Sequence, residues 1–310
     1  MKNAASARAQ GNQLFRLNLI WSLGILLALI AVELWGGYQL GSHSFWAKII
    51  KVESLQSISV PQPNVQAYYR KRIATESWTR IKDPLLQSIE ALKWTMNQVR
   101  KIATNPNSDP VLLLKSVENG EGGLCREMSN IYQNVLAAVG RPSRRIWLYR
   151  DIFSRYDTHD ETEVWLNGQW VIMSPTFNVS YANSEGRLLS AMDIKKYLLQ
   201  GKSSEVKPVF YGEVAYPARL EQYNPHFSML FNNVFVAEKG SGLFAKVPPF
   251  CYWFGSKLYY EKLSNESDTH FQFIQHLYFI FAIVVPVIIM IFLLYIGILL
   301  IMNGRVSRIG

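Results

Sequence analysis

Cys125 follows two glycines, Gly122 and Gly123, and opens a run in which Met128, Ile131, Tyr132, Val135, Leu136 and Val139 recur at helical spacing until Gly140. The spacing predicts an amphipathic helix with Cys125 in its first turn. A thiol there meets unpaired backbone N–H groups and the positive end of the helix dipole, both of which favour thiolate. The amide N–H of Cys125 would be one oxyanion donor, and the glycines let another backbone, or a substrate, come close. Position alone also fits a small buried residue capping a helix, so a partner is needed. His159 is the candidate. It opens a run of strand character that ends at the hairpin signal Asn167-Gly168, and Gln169 to Met173 forms the return strand, ending at Ser174-Pro175. A cysteine on a helix and a histidine at the head of a strand can form a nucleophile pair. Imidazole takes the thiol proton and later protonates the leaving group, while a third residue fixes its tautomer.

A two-residue loop at Asn167-Gly168 sets Trp165 opposite Trp170, Glu163 opposite Ile172 and Glu161 opposite Ser174. Side chains alternate along a strand, so His159, Glu161 and Ser174 share one face. Directly opposed residues have Cβ atoms about 5 Å apart. Ser174 can hydrogen-bond a ring nitrogen but carries no charge to stabilise imidazolium. Glu161 and Asp160 fit equally well as solvated charges on an edge strand. Asn178 and Asp157 are weaker candidates for the orienting role. With no orienting group, the domain would be a decayed enzyme that now binds.

These residues resemble the transglutaminase-like cysteine enzymes. The resemblance rests on Gly123-Leu124-Cys125, on Val139-Gly140-Arg141-Pro142-Ser143-Arg144 and on His159 with Glu163-Val164. It continues through Gly168-Gln169-Trp170 and Ser174-Pro175-Thr176, and spans roughly residues 80 to 180. It implies an α+β, papain-like core in which the nucleophile helix packs on an antiparallel sheet. It also implies acyl transfer through a thioester, ending in hydrolysis or in transfer to an amine, since such enzymes include peptidases, amidases and cross-linkers. Cys125 would be the nucleophile and His159 the general base and acid. The family's third residue, an Asp before the Pro, is Ser174 here, and the Glu161 position is commonly aromatic. The expected catalytic set is therefore Cys125, His159, Glu161 and Ser174, with the acid moved across the strand pair to Glu161.

No cofactor or metal is expected. The five histidines are scattered and no acidic loop has calcium-ligand spacing. The two cysteines, Cys125 and Cys251, could pair in an oxidising compartment, which would abolish the nucleophile. Cys251 lies in an aromatic run, and two free thiols are the expectation. His226 reads as an ordinary loop histidine.

The elements that must position the pair follow from local signals. Asp83-Pro84 and Asp109-Pro110 each open a helix, Arg144 to Arg150 alternates as a strand, and Met192 to Leu199 is a short helix. Together they give an α+β core. Val209 to Tyr211 and Asn233 to Ala237 look like strands within an aromatic-rich extension.

The ends differ in kind. Leu17 to Leu34 and Leu277 to Met302 are apolar and long enough for a bilayer, which needs about 20 residues. Lys2, Arg8 and Arg16 precede the first and Arg305 and Arg308 follow the second, so the positive-inside rule puts both tails in the cytoplasm. The expected organisation is a cytoplasmic tail (1–16), a transmembrane helix (17–35), a tether (36–72), the transglutaminase-like core (73–200), its extension (201–270), a second transmembrane helix (274–302) and a cytoplasmic tail (303–310). No small-residue cleavage site follows the first span, so an uncleaved anchor is expected. The expected location is the inner membrane of a bacterium with the central domain periplasmic. The formal net charge of +9 includes five positives in the tails and Glu33 in the first span, which leaves a mildly basic domain of about +5. Nucleic-acid binding is not indicated. The expected partners are the lipid bilayer through two spans, a peptide, cell-wall or surface-polymer substrate, and other proteins of a membrane complex. The competing reading is a catalytically silent binding or scaffold domain of such a complex.

Overall fold

The structure is a computed structural model. It describes residues 17–35, 48–52, 62–99, 103–149, 158–212, 231, 233–238, 257–261 and 279–306. The N-terminal tail (1–16), residues 307–310 of the C-terminal tail, Asp157, His226 and Cys251 lie outside the described residues, and residues 303–306 continue the C-terminal helix.

The chain divides into two units. One comprises residues 1–49, 239–256 and 267–310. Its first helix, α1 (Leu17–Trp35), is long and apolar enough to cross a membrane. The C-terminal helix is less uniform. A π-helical turn at Ile280–Val284 leads into an α-helix that ends at Val306, and the apolar part of that α-helix, Val285–Ile301, is shorter than α1. A continuous second span over 274–302 is therefore only partly matched. Pro286 accounts for the interruption. It has no N–H to donate, and its ring excludes the carbonyl one turn back, which a wider turn accommodates.

The other unit comprises residues 50–238 and 257–266. Its helices are α2 (Pro63–Arg72), α3 (Pro84–Gln98), α4 (Pro110–Glu118), α5 (Cys125–Ala138) and α6 (Ala191–Leu199). Its strands are residues 50–52 of β1 (Lys48–Val52), β2 (Ser143–Tyr149), β3 (Thr158–Leu166), β4 (Gln169–Ser174), β5 (Val179–Ala182), β6 (Lys207–Phe210), β7 (Asn233–Glu238) and β8 (Lys257–Glu261). They form one sheet in the order β1-β8-β7-β2-β3-β4-β5-β6, antiparallel from β8 through β6.

Asp83 caps α3 by accepting from Leu86 N–H at 2.7 Å, and Asp109 caps α4 by accepting from Val111 and Leu112 N–H at 2.9 Å. Each has proline at the first helical position, where the missing donor is harmless. After α5 the chain turns through Gly140 at φ +75°, and Arg141 N–H closes back on Leu136 O at 2.9 Å. Only a residue that tolerates the left-handed region makes that turn without strain. Asn167 and Gly168, at φ +50° and +82°, make the hairpin turn that sets the β3–β4 register.

Both faces of the sheet are covered. Val164, Leu166, Val171 and Met173 point into a core shared with α2 to α5, where Tyr69, Leu92, Leu114, Ile131, Tyr132 and Leu136 are fully buried. Ile146, Leu148, Ile172, Val234 and Val236 point the other way, into a second core under α6. Each such aliphatic side chain is worth about 1.5–3 kcal/mol when fully buried.

The expected tether, 36–72, contains structure. β1 lies in it, and α2 docks against α4 and α5. Tyr69 is fully buried and its hydroxyl donates to Pro110 O at 2.9 Å. Only Val65 and Tyr69 of α2 are buried, and two buried apolar residues in ten leave no periodicity to read.

Candidate active site

The loop before α5 is built by close backbone packing. A Cβ placed on Gly122 would meet Ala103 Cβ at 2.5 Å and its backbone N at 2.6 Å. The Gly122 carbonyl accepts from Asn105 Nδ2 at 2.9 Å, and the same amide reaches Ser116 Oγ at 2.7 Å. Gly122 thus admits another backbone, while Gly123 faces the Val99 and Glu127 side chains. Gly122→Ala must displace main chain, and we expect it to destabilise the protein by about 1–3 kcal/mol, measured as a lower urea midpoint at unchanged slope.

Cys125 is a free, half-buried thiol at the first position of α5. Glu127 reaches back to accept from Leu124 N–H at 2.9 Å, half of a capping box. One turn beyond Cys125, Ser129 Oγ donates to Asp160 O at 3.0 Å. That bond ties the start of the helix to β3 beside His159. Helical spacing puts Ser129 above Cys125, yet nothing in the sequence marks its bond to the strand.

His159 is the second residue of β3, opposite Leu148 of β2, and its ring lies against Phe177 with centroids 5.4 Å apart. Its Nε2 is 2.8 Å from Glu161 Oε1, an ion-pair distance, with the oxygen set off the line of the N–H bond. Cys125 is the other group that acts on the same ring. Burial works against the charged imidazole. The Glu161 carboxylate, then Cys125, outweigh it and raise the His159 pKa to about 10. Around neutral pH the ring is therefore imidazolium, held between a carboxylate and a sulfur.

Glu161 is fully buried, and β3 runs between β2 and β4 in the middle of the sheet. A solvated carboxylate on an edge strand is thereby ruled out. The observed register pairs Trp165 with Trp170 and Glu163 with Ile172, and the ladder's last pair is Thr162 with Met173. Glu161 and Ser174 come next. Ser174 is also fully buried, and its Oγ has no hydrogen-bond partner among the described residues. It does not bond His159. Asn178 ends the turn after β4 at φ +53°, and its carbonyl accepts from Tyr211 N–H at 3.0 Å. Among the described residues no group of three or more His, Cys, Asp or Glu could hold a metal ion.

Glu163, further along the same face, has a structural task. Arg144 Nε donates to its Oε2 at 2.6 Å, and the first N–H of α6, from Ala191, donates to its Oε1 at 2.7 Å. The Arg144 guanidinium also lies 4.2 Å from the centre of the Trp170 ring. This pair clamps α6 onto the sheet.

Residues 71–175 match the family model of the transglutaminase-like superfamily, about a third of the chain, and that stretch contains Cys125, His159, Glu161 and Ser174. It has a transglutaminase-like fold of helices on an antiparallel sheet. No curated protein matches the chain. A solved structure from Cytophaga hutchinsonii, of a protein provisionally called a cysteine protease, aligns at 13% identity over 51% of this chain with a TM-score of 0.29. The alignment covers 55% of that protein, so the chain spans about half its length.

Proposed function

We propose that the chain is a membrane-anchored cysteine enzyme that transfers acyl groups through a thioester. The observation that carries this reading is His159, buried between a half-exposed thiol and a fully buried carboxylate. Cys125 Sγ attacks the carbonyl carbon of an amide while its own N–H stabilises the oxyanion. The imidazolium of His159 protonates the departing amine, leaving a thioester on Sγ and a neutral ring. Water or a second amine then attacks the thioester, gives a proton to His159, and releases the product with the thiolate restored. Glu161 supplies the negative charge that stabilises imidazolium, in place of an acid at position 174. The α1 helix would anchor the domain, a second span over 274–302 would return the chain, and both termini would lie in the cytoplasm. The substrate would be a peptide, cell-wall or surface polymer.

The test is alkylation of Cys125 by iodoacetamide in the full chain, solubilised in detergent and carrying Cys251→Ser. At pH 6 we expect His159→Ala to slow the reaction at least ten-fold. Equal rates with and without the imidazole would sink the enzyme and leave a binding or scaffold domain.

A further inference from the structure

Continuing the β3–β4 register one step past its last ladder pair, Thr162–Met173, sets Glu161 opposite Ser174, and Ser174 pairs onward with Val179 of β5. Both are 0% exposed. His159 lies against the carboxylate, but among the described residues no other group hydrogen-bonds either carboxylate oxygen, and Ser174 Oγ is equally unpartnered. A carboxylate taken from water without donors is costly. A serine hydroxyl can rotate to supply one, and side chains opposed across a ladder sit about 5 Å apart at Cβ. A direct bond or one bridging water spans that gap.

We propose that Ser174 donates a hydrogen bond to Glu161, directly or through one buried water, and that the two positions form a single-charge site in which one carries the carboxylate and the other must stay neutral. This rests on the catalytic reading above. Ser174 is then a positioning residue that acts through Glu161. The same geometry explains why a serine stands there. An aspartate opposite Glu161 would set two buried carboxylates side by side, and such a pair keeps one proton between them. The charge should be movable across the ladder but not doubled. Glu161 and Cys125 are the described groups that raise the His159 pKa. Glu163, on the same face, is engaged by Arg144 and Ala191 N–H.

The experiment compares the full chain in detergent as wild type, Glu161→Gln, Ser174→Asp and the double variant. It reads the His159 protonation midpoint from ring ¹⁵N shifts and the thermal unfolding temperature at pH 7. We expect the midpoint to fall by more than one pH unit in Glu161→Gln and to recover at least half of that fall in the double variant. Ser174→Asp alone should unfold at a lower temperature than the double variant. A double variant with the low midpoint of Glu161→Gln, and unfolding shifts that simply add, would overturn the proposal. If the aspartate variants do not fold, the near-isosteric pair Ser174→Ala and Glu161→Gln decides. Coupled unfolding shifts support the contact and additive ones refute it. Alkylation indifferent to His159 would remove the enzyme while leaving this coupling intact, so the two ideas can fail separately.

Discussion

Between pH 7 and pH 10 a Cys125→Ser protein loses thermal stability, and Glu161→Gln removes most of that loss. Serine at position 125 eliminates the thiol's own titration, so that the histidine can be followed alone. His159 holds its proton more tightly in the folded chain, with a pKa of about 10, than in the unfolded chain at about 6.5. A group raised in this way contributes stability that is fully present below pH 6.5 and fades as pH rises through the folded value. Each pKa unit is worth about 1.4 kcal/mol, so the full shift amounts to roughly 5 kcal/mol. Part of it belongs to Cys125 and goes with the serine. The remainder belongs mainly to Glu161 and should appear as the difference between the two stability profiles, largest near pH 6 and closing towards pH 10. Parallel profiles for Cys125→Ser with and without Glu161→Gln would mean that the carboxylate does not hold the proton on His159.

Arg144→Ala lowers stability by about 3–5 kcal/mol. Arg144 and Glu163 are both buried, at 3% and 0% exposed. Removing the guanidinium leaves a carboxylate inside the sheet with one backbone donor, the N–H of Ala191. It also strips the cation from the face of Trp170. Replacing both partners together, with Arg144→Met and Glu163→Leu, should restore much of the loss, because no uncompensated charge then remains. Urea titrations of the three variants measure the recovery. A double variant no more stable than Arg144→Ala would place the cost in α6 docking and not in the stranded charge.

Much of this arrangement is legible from sequence where the signal is local. Asp83-Pro84 and Asp109-Pro110 mark the α3 and α4 starts because side-chain capping and proline geometry act within one turn. Asn167-Gly168 fixes the β3–β4 register because the turn itself does. What stays hidden is set by residues far apart in the chain. Whether β3 is an edge or a central strand depends on β2, and sequence alone leaves the Glu161 carboxylate solvated or sealed. The α2 helix disappears into the expected tether because it buries only Val65 and Tyr69 and docks otherwise through polar bonds, from Tyr69 to Pro110 O, from Arg70 to Ala138 O and from Arg72 to Glu118. The partner of Glu163 is an arginine 19 residues away in the chain, together with a helix start further on. No motif spacing reveals that the glutamate serves the clamp while its neighbour two positions earlier faces the histidine.

The placement of α5 has a kinetic consequence. It is surrounded by α2, α3, α4, β2 and β3, with Met128, Ile131, Tyr132, Val135 and Leu136 sealed in the core. Such a segment does not fray by itself; it opens only when the whole cooperative unit opens. The sulfur therefore keeps its address for as long as the domain is folded. Lesions elsewhere in the fold would reduce the number of competent molecules without altering the chemistry of each one. A weakened population of this protein would be a mixture of intact and unfolded chains, not a crowd of partly distorted ones.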